Sequence, residues 1–357
     1  MVDKLLLLAI PRVVDHTAGM DPEPLHVLAA PSHPDPYAWY ARLRVSRPIF
    51  FDAQLKLWVV SGPYLVQQAL RDARLRVRPP REPVPHALQG RPAGEVFALL
   101  VRMNDGDFHA RHRPAVEAAA SRWSAAEVAR AAEAAARDLA TRCDANALLS
   151  AIPVQAMARL LGVPAAQREA TVGWVHAFTQ GIAAGASADG LDRADAAALA
   201  LMEQGEREGL SRVAAANRIA FMQQALDATA GLLGNALHAA LRSGADEDAG
   251  ELVARIAHKD PAVHNTRRFA STALDLGGER IAQGDALVLV LVPECPFGGG
   301  AHACPGERIA LQVATSALRT LQSIAPLAPA LGAVRGYRPL PNARIPVFSG
   351  GTPAASP

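Results

Sequence analysis

The stretch Pro296 to Ile309 reads PFGGGAHACPGERI, and Cys304 is the side chain in it with chemistry to offer. Gly298, Gly299 and Gly300 allow positive φ and let the backbone approach a flat ligand closely, while Pro305 and Gly306 open a helix. A sulfur at a helix N-terminus faces free N–H groups and the positive end of the helix dipole, which favour its thiolate. On these residues alone three roles stay open: an inert buried cysteine, a nucleophile, or an electron-rich ligand. No His/Asn or His/Asp arrangement is placed to activate a nucleophile.

Other reactive types recur at helical or strand spacing. His109 and Arg113 in RMNDGDFHARHRPAV stand i to i+4 on one helix face, a pattern that by itself reads as a solvated face. Asp227 and Thr229 lie in the apolar run FMQQALDATAGLLGNALHAAL, where a helix threonine bonded to a backbone carbonyl is the plain alternative to a catalytic role. Arg267 sits in HNTRRFA, a strand-like segment.

The elements that must position these residues are mostly helical. PIFFDAQLKLWVVSG alternates about a turn at Asp52 to Gln54 and predicts a β-hairpin. Prolines 79, 80, 83, 85 and 92 make 74–94 a loop. Helices are expected over about 95–120, 124–142, 146–161, 165–184, 191–204 and 207–242, with interruptions at Pro153, Pro164 and 185–190. TRRFA, ALDLGG and DALVLVLV have strand character, and a last helix spans about 305–323. With no repeat or linker, the chain reads as one mainly α domain with small β-sheets (α+β) over 1–357.

Half of the 357 residues are apolar, enough for a large core, and the net charge of +2 predicts neither a nucleic-acid stripe nor a membrane-surface patch. The apolar run Leu5 to Ile10 is too short for a membrane span. Three cysteines, Cys143, Cys295 and Cys304, suit a reducing compartment, so a cytoplasmic protein is expected.

Phe297-Gly-Gly-Gly300-Ala-His302-Ala-Cys304-Pro-Gly306 resembles the haem-binding loop of cytochrome P450 enzymes. The resemblance implies haem b as cofactor, Cys304 as the axial thiolate of its iron, and Phe297, Gly300, His302 and Gly306 as its contacts. Cys295 lies outside the motif. The His109 segment is similar to the family's C helix and HNTRRFA to the strand at the haem edge. His109, Arg113, Arg267 and His302 are then expected on the propionates, and Val84, Ala225, Val263, His264 and Asn265 near the substrate. The long helix resembles the distal I helix. Aligned on its acid, Asp227 takes the acid slot, Ala228 the usual threonine slot, and Thr229 follows, about 100° further round the helix. The alternative register on Ala230-Gly231 puts Leu233 and Gly234 there instead.

The family's Glu-x-x-Arg pair is absent: its slots hold Arg255 and His258, and Glu251 with Arg255 reads as an i,i+4 surface pair. Only 36 residues separate Arg267 from Cys304, so the fold is expected to be shortened between the K-helix region and the haem loop. The resemblance implies a monooxygenase that inserts one atom of O2 into a small organic or specialised-metabolite substrate, with ferredoxin and ferredoxin reductase as electron donors. The alternatives are an H2O2-driven peroxygenase or peroxidase, and a catalytically degenerate P450-like haem-binding or scaffold protein.

Overall fold

The computed structural model describes residues 23–243, 247–324 and 326–350. The run Leu5 to Ile10 lies outside them. In chain order, α1 (Tyr37–Ser46) leads to β1 (Ile49–Asp52), β2 (Leu57–Val60), α2 (Pro63–Arg71) and β3 (Leu75–Arg76). A helical body follows: α3 (Pro92–Leu99), α4 (Gly106–Ser121), α5 (Ala125–Ala140), α6 (Ala145–Leu160), α7 (Arg168–Gly181), α8 (Ala188–Arg207), α9 (Arg212–Ser243) and α10 (Ala249–Lys259). Then come β4 (Asn265–Ala270), β5 (Leu274–Leu276), β6 (Glu279–Ile281), β7 (Ala286–Val290), α11 (Glu307–Ile324), α12 (Leu327–Leu331), β8 (Val334–Tyr337) and β9 (Pro346–Phe348). The architecture is α+β, and among the described residues no helix is long and apolar enough to cross a membrane.

Local chemistry explains the helix starts. Ser124 and Glu127 form a reciprocal capping box at α5, and Asp144 and Asp248 each accept backbone N–H groups at the starts of α6 and α10. Alanines such as Ala132, Ala135, Ala197 and Ala198 are fully or almost fully buried, so neighbouring helices pack closely at little cost in side-chain entropy.

Two expectations about breaks are corrected. The helix expected over 95–120 is two helices, because Asn104 Nδ2 donates to the carbonyls of Ala98 and Leu100 and Gly106 takes φ +63°. Pro153 does not interrupt its helix but sits inside α6.

Strand order in the main sheet is β1-β2-β7-β4-β3, with β2 and β7 parallel and the other pairs antiparallel. β7, ALVLV, is apolar throughout because both faces are covered: Leu287 and Leu289 pack into one cluster, Val288 and Val290 into another. After β7 the chain passes to α11 through turns and a single short 3-10 helix, Gly300–His302, so the expected shortening is present.

The side of α10 that carries Arg255 and His258 is exposed. Arg255 pairs with Glu247 at 2.6 Å, not with Glu251 as its spacing suggested. A different, largely buried ion pair ties the end of α10 to residues 31–34 and to the segment before β9. Arg344 Nε donates to Asp260 Oδ1 at 2.7 Å, its other nitrogens donate to the carbonyls of Pro31, His33 and Pro34, and its guanidinium lies 3.4 Å over the Tyr337 ring. Tyr37 Oη also donates to Asp260.

Candidate active site

Glycines shape the cysteine loop. Gly298 and Gly300 have φ of +73° and +64°, and a Cβ on Gly300 would lie 2.2 Å from the carbonyl oxygen of Leu70 at the end of α2. Gly300 does not itself border the cavity described below; its bareness lets the loop lie against α2. Cys304 N–H donates to Phe297 O at 2.9 Å and Arg113 Nη2 to Ala303 O at 2.5 Å, so α4 holds the loop beside the cysteine.

Cys304, Phe297, His302 and Gly306 border a cavity of about 510 Å³. That is a size suited to a small-molecule site. Cys304 is accessible and borders the cavity, and burial of its sulfur among neighbouring atoms pushes its thiol up. The N–H groups of Gly306 and Glu307 and the charge of Arg113 pull the other way without prevailing. The helix N-terminus therefore does not make a free thiolate here. A cation at the sulfur is what would deprotonate it.

A second wall is the stripe of α9 that carries Ala220, Phe221, Gln224, Ala225, Asp227, Ala228 and Thr229. Burial raises the Asp227 carboxyl pKa, against the charge of Arg338. Thr171 and Thr179 hydroxyls donate to carbonyls four residues back, whereas no such bond ties Thr229, which is buried at the cavity edge. Gly231 and Gly234 serve packing: a Cβ on either would lie 2.6–2.7 Å from Arg344 O or Pro346. Leu233 is fully buried away from the cavity, so the register on Asp227 is the one that faces it.

The lining is mostly apolar, and its charged residues are mainly cations. Arg102, Arg113, Arg267 and Arg268 border the cavity, with Asp227 the acidic residue among them. Arg267 and Arg268 have no ion-pair partner among the described residues, and burial lowers the pKa of both. His302 Nε2 lies 3.0 Å from Asp105 Oδ1, and its ring stands 4.3 Å from that of His109. His109 is buried behind His302 rather than on the cavity surface, and burial, with the charges of His302 and Arg113, lowers its pKa. His109 Nε2 and His302 Nδ1 are buried with no hydrogen-bond partner.

Val263, Asn265 and Ala225 border the cavity as well. Val84 and His264 do not. Val84 packs on the main core, and His264 is a fully buried core histidine whose Nδ1 lies 3.0 Å from Tyr40 Oη. Residues that sequence reasoning passed over include Arg268, Arg102 and Gln223. The tandem Arg267-Arg268 and the Arg102 in RMND were visible signals, but nothing in the sequence says that either faces a cavity.

The residues present fit haem. Among the described residues no cluster of three or more His, Cys, Asp or Glu is placed to hold a metal ion, so iron at Cys304 would need its remaining ligands from a prosthetic group. Arg113 pairs with Glu117 at 2.7 Å, whereas the unpaired Arg267 and Arg268 and the unpartnered His302 Nδ1 suit that group's two carboxylates.

No protein-family model matches the chain, and no curated protein matches it. Solved structures do. CalO2 is 22% identical with a TM-score of 0.70, over 90% of this chain and 97% of its own. The cytochrome P450 enzyme CxnD, for C–S bond formation in chuangxinmycin biosynthesis, is 15% identical with a TM-score of 0.71, over 94% and 97%. P450BioI, solved in complex with an acyl carrier protein ligated to hexadec-9Z-enoic acid, is 20% identical with a TM-score of 0.69, over 88% and 97%. The chain has the fold of the bacterial cytochromes P450.

Proposed function

We propose that the protein is a haem-thiolate monooxygenase acting on a small organic substrate, folded as one haem domain. The observation that carries this is the placement of one cysteine, in a glycine-rich loop, on a cavity that also holds Asp227 and Thr229. Bound through a cysteine thiolate, haem b supplies activation of dioxygen for O–O cleavage.

The chain's own residues divide the remaining work. Cys304 holds the iron, with the N–H groups of Gly306 and Glu307 and the Arg113 charge easing the negative charge on sulfur. Arg113, Arg267, Arg268 and His302 Nδ1 hold the carboxylates of the cofactor, and Asp105 orients the His302 ring. Phe297 and Leu70 give the cofactor apolar walls, and Ala225, Ala228 and Val263 leave room for substrate. Asp227 and Thr229 share the α9 wall of the cavity and are assigned to proton delivery there, with burial raising the Asp227 carboxyl pKa. Electrons would come from a ferredoxin and its reductase.

The short passage from β7 to α11 favours a second reading, a peroxygenase using H2O2, because it leaves less scaffold on the cysteine side for an electron donor to meet. Product formed with NAD(P)H, ferredoxin and reductase is to be compared with product formed with H2O2, in the parent and in Thr229→Ala. A monooxygenase should make product from the electron-transfer chain, and Thr229→Ala should divert NAD(P)H from product while sparing the peroxide route. Product from peroxide alone would select the second reading.

A further inference from the structure

Arg102 is the cavity arginine to which the function proposed above gives no role. Arg113 reaches the cysteine loop through Ala303, and Arg267 and Arg268 stand on β4. Arg102 is held instead against the α9 wall: its Nη2 donates to Gln223 Oε1 at 2.8 Å, and its Nη1 lies 3.3 Å from Met103 Sδ. Gln223 is six residues before Thr229, so about 9 Å along the helix axis at 1.5 Å per residue.

The segment carrying Arg102 is pinned in place. Asn217 on α9 accepts from Val101 N–H at 3.0 Å and donates to Leu99 O at 3.0 Å. Arg102 is thus preorganised toward the cavity.

Its charge has no counterpart. Arg102 makes no ion pair with any described residue, and its Nε is buried without a hydrogen-bond partner. Burial alone lowers its pKa to about 10, with no acidic group opposing the effect, so it stays a cation at neutral pH. A desolvated guanidinium with only a neutral amide and a thioether as partners is costly, and an anion in the cavity would relieve the cost. Gln223, whose Oε1 accepts from Arg102, keeps its amide Nε2 as a donor for the same anion.

We propose that Arg102, oriented by Gln223, is a subsite for a substrate carboxylate, so that the cavity takes an organic acid with its charged end on Arg102 and its apolar body toward Phe221, Ala225 and Ala228. This names the substrate class of the cavity and rests on the function proposed above.

The test uses haem-loaded protein and calorimetric binding of acids and alcohols with matched skeletons: octanoate with octan-1-ol, dodecanoate with dodecan-1-ol, phenylacetate with 2-phenylethanol. At least one acid should bind about 10-fold or more tightly than its alcohol, the preference expected of a charge-assisted hydrogen bond in a desolvated site. Arg102→Gln should erase the preference while haem content is unchanged, Arg102→Lys should keep part of it, and Gln223→Ala should reduce it. No preference in the parent for any pair, including no binding at all, would overturn the subsite. So would a preference that survives Arg102→Gln, or a loss of haem from Arg102→Gln with acid binding intact, which would place Arg102 on a propionate. If Arg102→Gln does not fold, Gln223→Ala and the parent's own preference still decide. Cofactor ligation is read separately from the carbon monoxide spectrum, so failure of the haem assignment and failure of the acid subsite give different results.

Discussion

His302 Nε2 and Asp105 Oδ1 lie 3.0 Å apart, joining the cysteine loop to the residue that precedes α4. The other carboxylate oxygen of Asp105 accepts Val77 N–H at 2.9 Å, so one carboxylate ties together three segments around the cavity. Burial would raise the pKa of Asp105. The hydrogen bonds from His302 and Val77, with the charges of His302 and Arg76, outweigh it and hold the carboxyl below the usual carboxylate range.

Asp105→Asn should therefore destabilise the fold by about 1–3 kcal/mol, the cost of weakening charged hydrogen bonds in a partly buried site. A depressed carboxylate pKa contributes stability that is present above its unfolded value and lost as pH falls through the folded one. The difference between parent and Asp105→Asn should accordingly shrink as pH drops below about 4. Urea unfolding at pH 7 and at low pH measures both. An unchanged stability at pH 7 would show that Asp105 is not a tie.

Arg113 and Arg267 should hold cofactor without setting the electronic character of its iron. Arg113→Ala and Arg267→Ala are each expected to weaken haem retention, and the double variant more so, while the position of the thiolate absorption band stays put. Haem transfer to a scavenging apoprotein measures retention. Full retention in the double variant would assign these arginines elsewhere.

His264 should make stability depend on pH. It is fully buried, and desolvation, followed by the charge of Arg344, holds its pKa well below 6.5. The folded state keeps the ring neutral while the unfolded chain takes up a proton as pH falls through about 6.5. Stability should thus decline on acidification from that point until the folded value is reached. One such proton contributes a slope of about 1.4 kcal/mol per pH unit. His264→Phe removes the Tyr40 contact and lowers stability, yet should reduce the slope between pH 5 and 6.5. The same slope in parent and variant would mean that other groups carry it.

Much of the fold is legible in local patterns. The hairpin around residue 54, the strands of HNTRRFA and DALVLVLV, and the long helix follow from periodicity and turn chemistry. Contacts between distant segments are another matter. Nothing near Arg344 announces that it would meet Asp260 and the carbonyls of Pro31, His33 and Pro34. Asn104 breaks a helix by donating its side-chain amide to the carbonyls of Ala98 and Leu100, a competition that periodicity does not register. In the site, Cys304 and its glycines could be read because their types and spacing are demanding. Arg102 could not, since an arginine is equally at home on a surface, and only the cavity distinguishes it.

Cysteine ligation is tested most directly by the absorption spectrum of the reduced, carbon monoxide-treated protein, in the parent, Cys304→Ala and Cys295→Ala. With Cys304 as the thiolate ligand, parent and Cys295→Ala should show the long-wavelength band characteristic of thiolate-bound haem, and Cys304→Ala should lack it. A band that survives Cys304→Ala, or a folded parent protein that takes up no haem, would contradict the assignment.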